Sequence, residues 1–188
     1  MKAALEAATP ELPPRAPLPR PARDIPLLTD LTPALALAGA SPSNRFRVGP
    51  GSFSVFVEGE LLTRLEGLVA YSGPLEFEAE RKRFRGRATD EPFGQGEGRF
   101  TRVSGRGVLF LEAPEAHAFL AVDLGDAGLY VREECVFAFE EVVAFENGKM
   151  PSTLAPDLDL VHLRGQGRVV LHFQGSLHSV AVRAELPV

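Results

Sequence analysis

Residues 129–146 read Leu-Tyr-Val-Arg-Glu-Glu-Cys-Val-Phe-Ala-Phe-Glu-Glu-Val-Val-Ala-Phe-Glu. Residues 61–78 read Leu-Leu-Thr-Arg-Leu-Glu-Gly-Leu-Val-Ala-Tyr-Ser-Gly-Pro-Leu-Glu-Phe-Glu. At a constant offset of 68, Leu61/Leu129, Arg64/Arg132, Glu66/Glu134, Ala70/Ala138, Phe77/Phe145 and Glu78/Glu146 are identical, and Tyr71 answers Phe139. Unrelated segments of 18 residues share about one identity, so six mark an internal repeat.

The correspondence continues beyond this stretch. Gly105-Arg-Gly107-Val-Leu-Phe-Leu111 is echoed by Gly165-Gln-Gly167-Arg-Val-Val-Leu171 at an offset of 60, and Ala121-Val122 by Ala181-Val182. The offset falls by eight because the connection 79–99 is that much longer than 147–159. Halves of about 65 residues, 54–122 and 123–183, bury both faces of a sheet poorly alone but can share a core face to face. The expected fold is all-β. It is an internally duplicated β-sandwich or barrel of two pseudosymmetric halves over residues 45–188, with a Pro-rich extension, 1–44.

Short runs of Val, Phe, Leu and Tyr, punctuated by glycine every eight to twelve residues, support the β reading. Strands are expected near 45–48, 52–57, 60–65, 67–71, 75–79, 99–103, 107–112, 117–123, 128–132, 135–139, 142–146, 158–164, 168–173 and 177–183. In one of them Leu75, Phe77 and Ala79 alternate with Glu76, Glu78 and Glu80, which assigns the two sets to opposite faces. Beyond residue 44 no helical period is sustained.

The extension is different in kind. It holds nine of the 16 prolines, and 10–21 is expected to be extended polyproline II because proline fixes φ and lacks a donor. Pro10, Pro13 and Arg15 form a simple docking pattern. The bland reading of the same residues is a semi-rigid spacer. Ile25, Leu27, Leu28, Leu31, Leu35 and Leu37 are apolar enough to pack, either on this domain or on a partner.

Bulk properties exclude several classes. The 188 residues are 45% hydrophobic and 24% charged, as in ordinary globular chains. A net charge of −5 gives no general attraction to nucleic acid or to an anionic membrane surface. No apolar run approaches the 18 or so residues of a transmembrane helix. Glu6 and Glu11 interrupt any secretory h-region, and the single Cys135 fits a reducing compartment, so the cytoplasm is the expectation.

No motif carries catalysis. Both Gly-x-Gly pairs precede strands rather than helices, so they are expected to be turns or bulges and not phosphate loops. Among His117, His162, His172 and His178 there is no His-x-His pair, and His162 and His172 are expected at the surface. Cys135, flanked by Glu133 and Glu134, reads as a structural thiol. No catalytic, metal or cofactor site is assigned. The one charge cluster is Arg81, Lys82, Arg83, Phe84, Arg85 and Arg87, which suits RNA or an anionic surface. Its bland alternative is an exposed hairpin arm or loop, a soluble segment that can pair with Glu76, Glu78 and Glu80.

Gly67-Leu-Val-Ala-Tyr71, Phe100 with Gly105-x-Gly-x-Leu-Phe-Leu111, Leu129-Tyr-Val-Arg132 with Phe137-Ala-Phe139, and Leu163-x-Gly165-x-Gly-x-Val-x-Leu171 together carry a family resemblance. The chain resembles, over about 45–183, the altered-inheritance-of-mitochondria (mitochondrial biogenesis) family and its bacterial relatives. The resemblance implies a duplicated sandwich of the tryptophan RNA-binding attenuation protein class, a tendency to homo-oligomers, and no catalytic motif to carry over. The tail and the 81–87 arm depart from it. The leading expectation is a non-enzymatic scaffold that self-assembles through its sandwich and recruits a protein partner through its tail. The alternative is RNA or anionic-surface binding through the arm.

Overall fold

The structure is a computed structural model in which residues 25–153 and 156–178 are described. Pro10, Pro13, Arg15 and most of the strand expected at 177–183 lie outside them. The chain divides into two units between Ala36 and Leu37. The first contains α1 (Leu28–Leu35), which starts with Asp30 in its first turn and includes Pro33. That proline forfeits a helical hydrogen bond and helps hold the helix to eight residues. Residues 37–44, which composition groups with the tail, belong to the second unit. There Ala40 is buried and the Ser54 hydroxyl donates to the Ala38 carbonyl at 2.8 Å.

Among its described residues the second unit is all-β apart from two 3-10 turns. Its strands are β1 (Phe46–Gly49), β2 (Ser52–Arg64), β3 (Leu68–Ser72), β4 (Leu75–Ala79), β5 (Arg81–Phe84), β6 (Arg87–Pro92) and β7 (Phe100–Glu112). They are followed by β8 (His117–Asp123), β9 (Leu129–Arg132), β10 (Val136–Glu140), β11 (Ala144–Met150), β12 (Leu158–Arg164) and β13 (Arg168–Gln174). The largest sheet runs β3-β7-β2-β10-β13-β8, with β1 also on β2 and β4 also on β7. A three-stranded sheet runs β11-β12-β9, and β5 and β6 form a hairpin.

Two expected strand breaks are absent. The runs 52–57 and 60–65 join as β2, and 99–103 and 107–112 join as β7. The reason is a pair of facing glycines: Gly59 (φ 93) stands opposite Gly105 (φ 117), so both strands bend together without losing register. Gly105-x-Gly107 is therefore not a turn. Its missing side chains admit the carbonyls of Pro74, in the β3–β4 connection, and of Ser72, at the end of β3. Only Gly165-x-Gly167 connects two strands, β12 and β13. β5 and β6 are not among the expected strands, because their runs of charge hide any apolar alternation, but together they form the hairpin that is the bland alternative for the basic arm.

Two cores lie on either side of β2 and β10. Phe53, Val55, Val57 and Leu61 of β2 join Val103, Leu109, Leu111, Phe119 and Phe137 in the first. The Phe53 and Phe119 rings are 5.7 Å apart although their strands are three places apart in the sheet, so the sheet curls round this core. Leu62, Phe93, Phe100, Phe139, Phe145, Val161 and Leu163 form the second core, between the large sheet and the three-stranded one.

The pairing register has a regularity of its own. Adding 68 to the residues of β2, β3 and β4, and 60 to those of β7, turns one observed pair into another. Leu61↔Val103 becomes Leu129↔Leu163, Phe77↔Val103 becomes Phe145↔Leu163, and Tyr71↔Leu109 becomes Phe139↔Val169. The irregularity of β3 between Leu68 and Ala70 recurs in β10 between Val136 and Ala138. β8, assigned by sequence to the first half, pairs with β13 as the start of β2 pairs with β7: Phe119↔His172 beside Ser52↔Glu112.

Candidate functional site

The basic arm is the β5–β6 hairpin, turned at Arg85 and Gly86, both in the left-handed region at φ 50 and 75. Its cations are largely committed within the chain. Arg81 pairs with Asp90 at 3.2 Å, and Lys82 reaches Glu133 at 3.3 Å and Glu91 at 4.0 Å. Arg83 lies 4.0 Å from Glu80, and its guanidinium covers the Phe145 ring at 5.0 Å. The Arg83 amide donates to the Asn147 side-chain oxygen at 3.0 Å, tying the hairpin to β11. Arg85 covers the exposed Phe84 ring at 5.3 Å, and Arg87 has no acidic partner among the described residues. The expected pairing with Glu76 and Glu78 is not seen. Of that ladder Glu80 turns inward, held by Arg102, which Glu60 also grips. Burial opposes the Arg102 charge, but the two carboxylates outweigh it and raise the guanidinium above its usual range.

Behind the hairpin is a buried network that the sequence reading missed. Arg64, at the end of β2, is 7% exposed; it donates from Nε to the Val136 carbonyl and from Nη2 to the Glu133 carbonyl, each at 2.7 Å. Its third direction faces Glu66 at 3.8 Å. Burial pulls the Arg64 guanidinium down while Glu66 and Glu133 hold its charge in place. The Glu133 carboxylate also accepts from Asn147 at 3.1 Å. A signal for this network was available, because Arg64-x-Glu66 recurs as Arg132-x-Glu134. The second copy also forms an ion pair, at 2.9 Å, but at the surface.

His172 corrects an expectation. It is 7% exposed, because β13 is apolar on both faces and His172 shares the inward face with Val170. Its Nε2 meets the Glu134 carbonyl at 2.5 Å, where it donates, so Nδ1 carries the lone pair 3.8 Å from Glu66 Oε1. Burial lowers its pKa, helped by Arg64 and opposed by the Glu134 contact and Glu66. His162 stacks on Tyr130 at 4.1 Å. A cleft of about 510 Å³ adjoins this network, lined by Glu66, His117, Glu134, Cys135 and His172. Burial first, then Glu134, raises the Cys135 thiol above its ordinary value, so it is held as the thiol rather than the nucleophilic thiolate. Among the described residues no three His, Cys, Asp or Glu side chains converge as a metal site.

Exposed apolar side chains among the described residues include a group on α1 and a group on β3 and β4. On α1, Leu27 precedes the first turn and Leu28 is 78% exposed, while Leu31 is half-buried. On β3 and β4, Tyr71 and Phe77 meet edge to face at 5.2 Å, and both are exposed. Their counterparts at the offset of 68, Phe139 and Phe145, make the same edge-to-face contact at 5.4 Å inside the second core. No helix among the described residues is long and apolar enough to cross a membrane.

No curated protein matches this sequence. The resemblance carried by the short glycine and aromatic motifs is borne out over a slightly shifted span: residues 60–188 match the family model described as mitochondrial biogenesis AIM24, and the chain belongs to that family.

Proposed function

We propose that this protein is a non-enzymatic scaffold, built by tandem duplication of one β unit, that self-assembles through its sheets and recruits a partner through its N-terminal segment. The repeat of pairing register, including the shared irregularity in β3 and β10, supports the duplication. The observation that carries self-assembly is the fate of one ring pair. Phe139–Phe145 is buried under the first half, whereas the equivalent Tyr71–Phe77 is exposed to solvent. A surface that is core in one copy and bare in the other calls for a cover of the same chemistry. Exposed Leu28 and Leu35 on α1 favour the N-terminal segment as the recruiting element. Its partner is a protein with an apolar groove.

The alternative, RNA or anionic-surface binding by Arg81–Arg87, is weakened by the carboxylates that neutralise Arg81, Lys82 and Arg83. The single half-buried cysteine keeps a reducing compartment, such as the cytoplasm, as the proposed location. Light scattering on the eluting protein tests the scaffold reading. The full chain and a form lacking residues 1–36 are both expected to run as oligomers; a monomer at high micromolar concentration would overturn it.

A further inference from the structure

We propose that copies of this chain join head to tail through strand edges, β9 of one copy adding antiparallel to β3 of the next. This rests on the self-assembly reading and specifies its interface. The template is inside the chain: β10 adds to the end of β2 with Ala138↔Thr63, Phe139↔Leu62 and Glu140↔Leu61. β3 is the counterpart of β10, and β9 is the counterpart of the end of β2, by the register relations described above. Yet β3 pairs only with β7 and β9 only with β12, so the counterpart edges have no strand across from them among the described residues. One junction is made and its equivalent is left open. The two halves therefore do not close on each other, and the open edges sit at opposite ends of the repeat.

Carrying the template across by 68 residues gives Ala70↔Val131, Tyr71↔Tyr130 and Ser72↔Leu129 between copies. Tyr71 and Tyr130 are 54% and 70% exposed, and neither strand offers a lysine or proline of the kind that blunts edges. Leu62, which faces Phe139 within the chain, becomes Tyr130 facing the partner's Tyr71. The bare Tyr71–Phe77 surface thereby gains the cover its counterpart already has.

A second contact falls out of the same operation. Arg64 closes the existing junction by donating to the Glu133 and Val136 carbonyls, at a turn where the Val136 amide bonds to Glu133. The equivalent turn exists in the first copy, with the Leu68 amide bonded to the Leu65 carbonyl at 3.1 Å. The equivalent arginine is Arg132, 56% exposed and at the end of β9. In the assembly it donates to the partner's Leu65 and the partner's Leu68. Such an interface is heterologous, so it produces a ring if the rotation closes and a filament if it does not.

Oxidative cross-linking in a Cys135→Ser background tests the register. Opposed residues of an antiparallel pair lie about 4.5–5.5 Å apart at Cα, within disulfide reach. With copper-phenanthroline as oxidant, Tyr71→Cys with Tyr130→Cys in one chain is expected to give a ladder of covalent oligomers. Each single variant alone should give no dimer, and a mixture of the two singles should give a dimer and nothing larger. A dimer from either single variant, or an oligomer that never cross-links, overturns the pairing while leaving self-assembly standing. A monomeric parent overturns both. Independently, Arg132→Ala is expected to weaken assembly by about tenfold or more, with Arg132→Lys recovering little of it. Unchanged assembly in Arg132→Ala would remove its role.

Discussion

Arg64 and Arg132 stand 68 residues apart in matching Arg-x-Glu motifs and have opposite surroundings. Arg64 has been taken out of water and donates to two backbone carbonyls. Removing it takes a charged donor from both carbonyls, leaves the Glu133 carbonyl only its turn bond from the Val136 amide, and strips Glu66 of its cation, so Arg64→Ala is expected to cost about 3 kcal/mol in denaturant unfolding. At concentrations where the chain is monomeric, Arg132→Ala should stay within about 0.5 kcal/mol of the parent. His172 adds a pH dependence. Its folded pKa lies below the ordinary 6.5 because burial disfavours the imidazolium. The unfolded chain therefore binds the proton more readily. Stability from this group is fully present above about pH 6.5 and is lost as pH falls toward the depressed folded value. His172→Gln keeps a donor for the Glu134 carbonyl but cannot titrate. Thermal unfolding from pH 7.5 to 5 should show a shallower decline in this variant. An identical decline would mean that other groups set the acid limb.

At the level of elements, the glycines decide which sequence breaks are structural breaks. Gly59 and Gly105 face each other in one ladder, and a Cβ at Gly105 would meet the Pro74 carbonyl in a backbone conformation that L residues avoid. Gly105→Ala is therefore expected to destabilise by about 2 kcal/mol or more, read from the denaturant midpoint, while Gly148→Ala, which meets open space, should do far less. Alternation and glycine spacing made most of the strands legible before any coordinates, since those features follow from the pleat and from the turns. The β2–β7 continuity was not legible, because a lone glycine reads the same whether it ends a strand or bends one. The β5–β6 hairpin was legible as an exposed arm, but its packing partners were not, for a different reason. Lys82 and Arg83 serve as cross-element ion-pair and ring contacts rather than as a solvated face, and one-dimensional patterning does not encode partners such as Glu133 and Phe145. The repeated Arg-x-Glu was visible as an identity, but its burial in one copy and exposure in the other comes from which edge is covered.

For the molecule as a whole, the chain belongs to the mitochondrial biogenesis AIM24 family and its sheet unit is mostly β. The N-terminal helix and the sheet unit each carry exposed apolar side chains, so the proposed partner recruitment and the proposed self-assembly can be separated by deleting residues 1–36. A last consequence concerns β2. Thirteen residues long, it sends Phe53, Val55, Val57 and Leu61 into one oily interior and Leu62 into the other, with β10 divided in the same way. Melting either interior strips a wall from its neighbour, so the sheet unit has no half that survives alone. Calorimetry on residues 37–188 should record one endotherm whose van't Hoff and calorimetric enthalpies per cooperative unit agree. Two resolved peaks would mean that the shared wall is less binding than its burial implies.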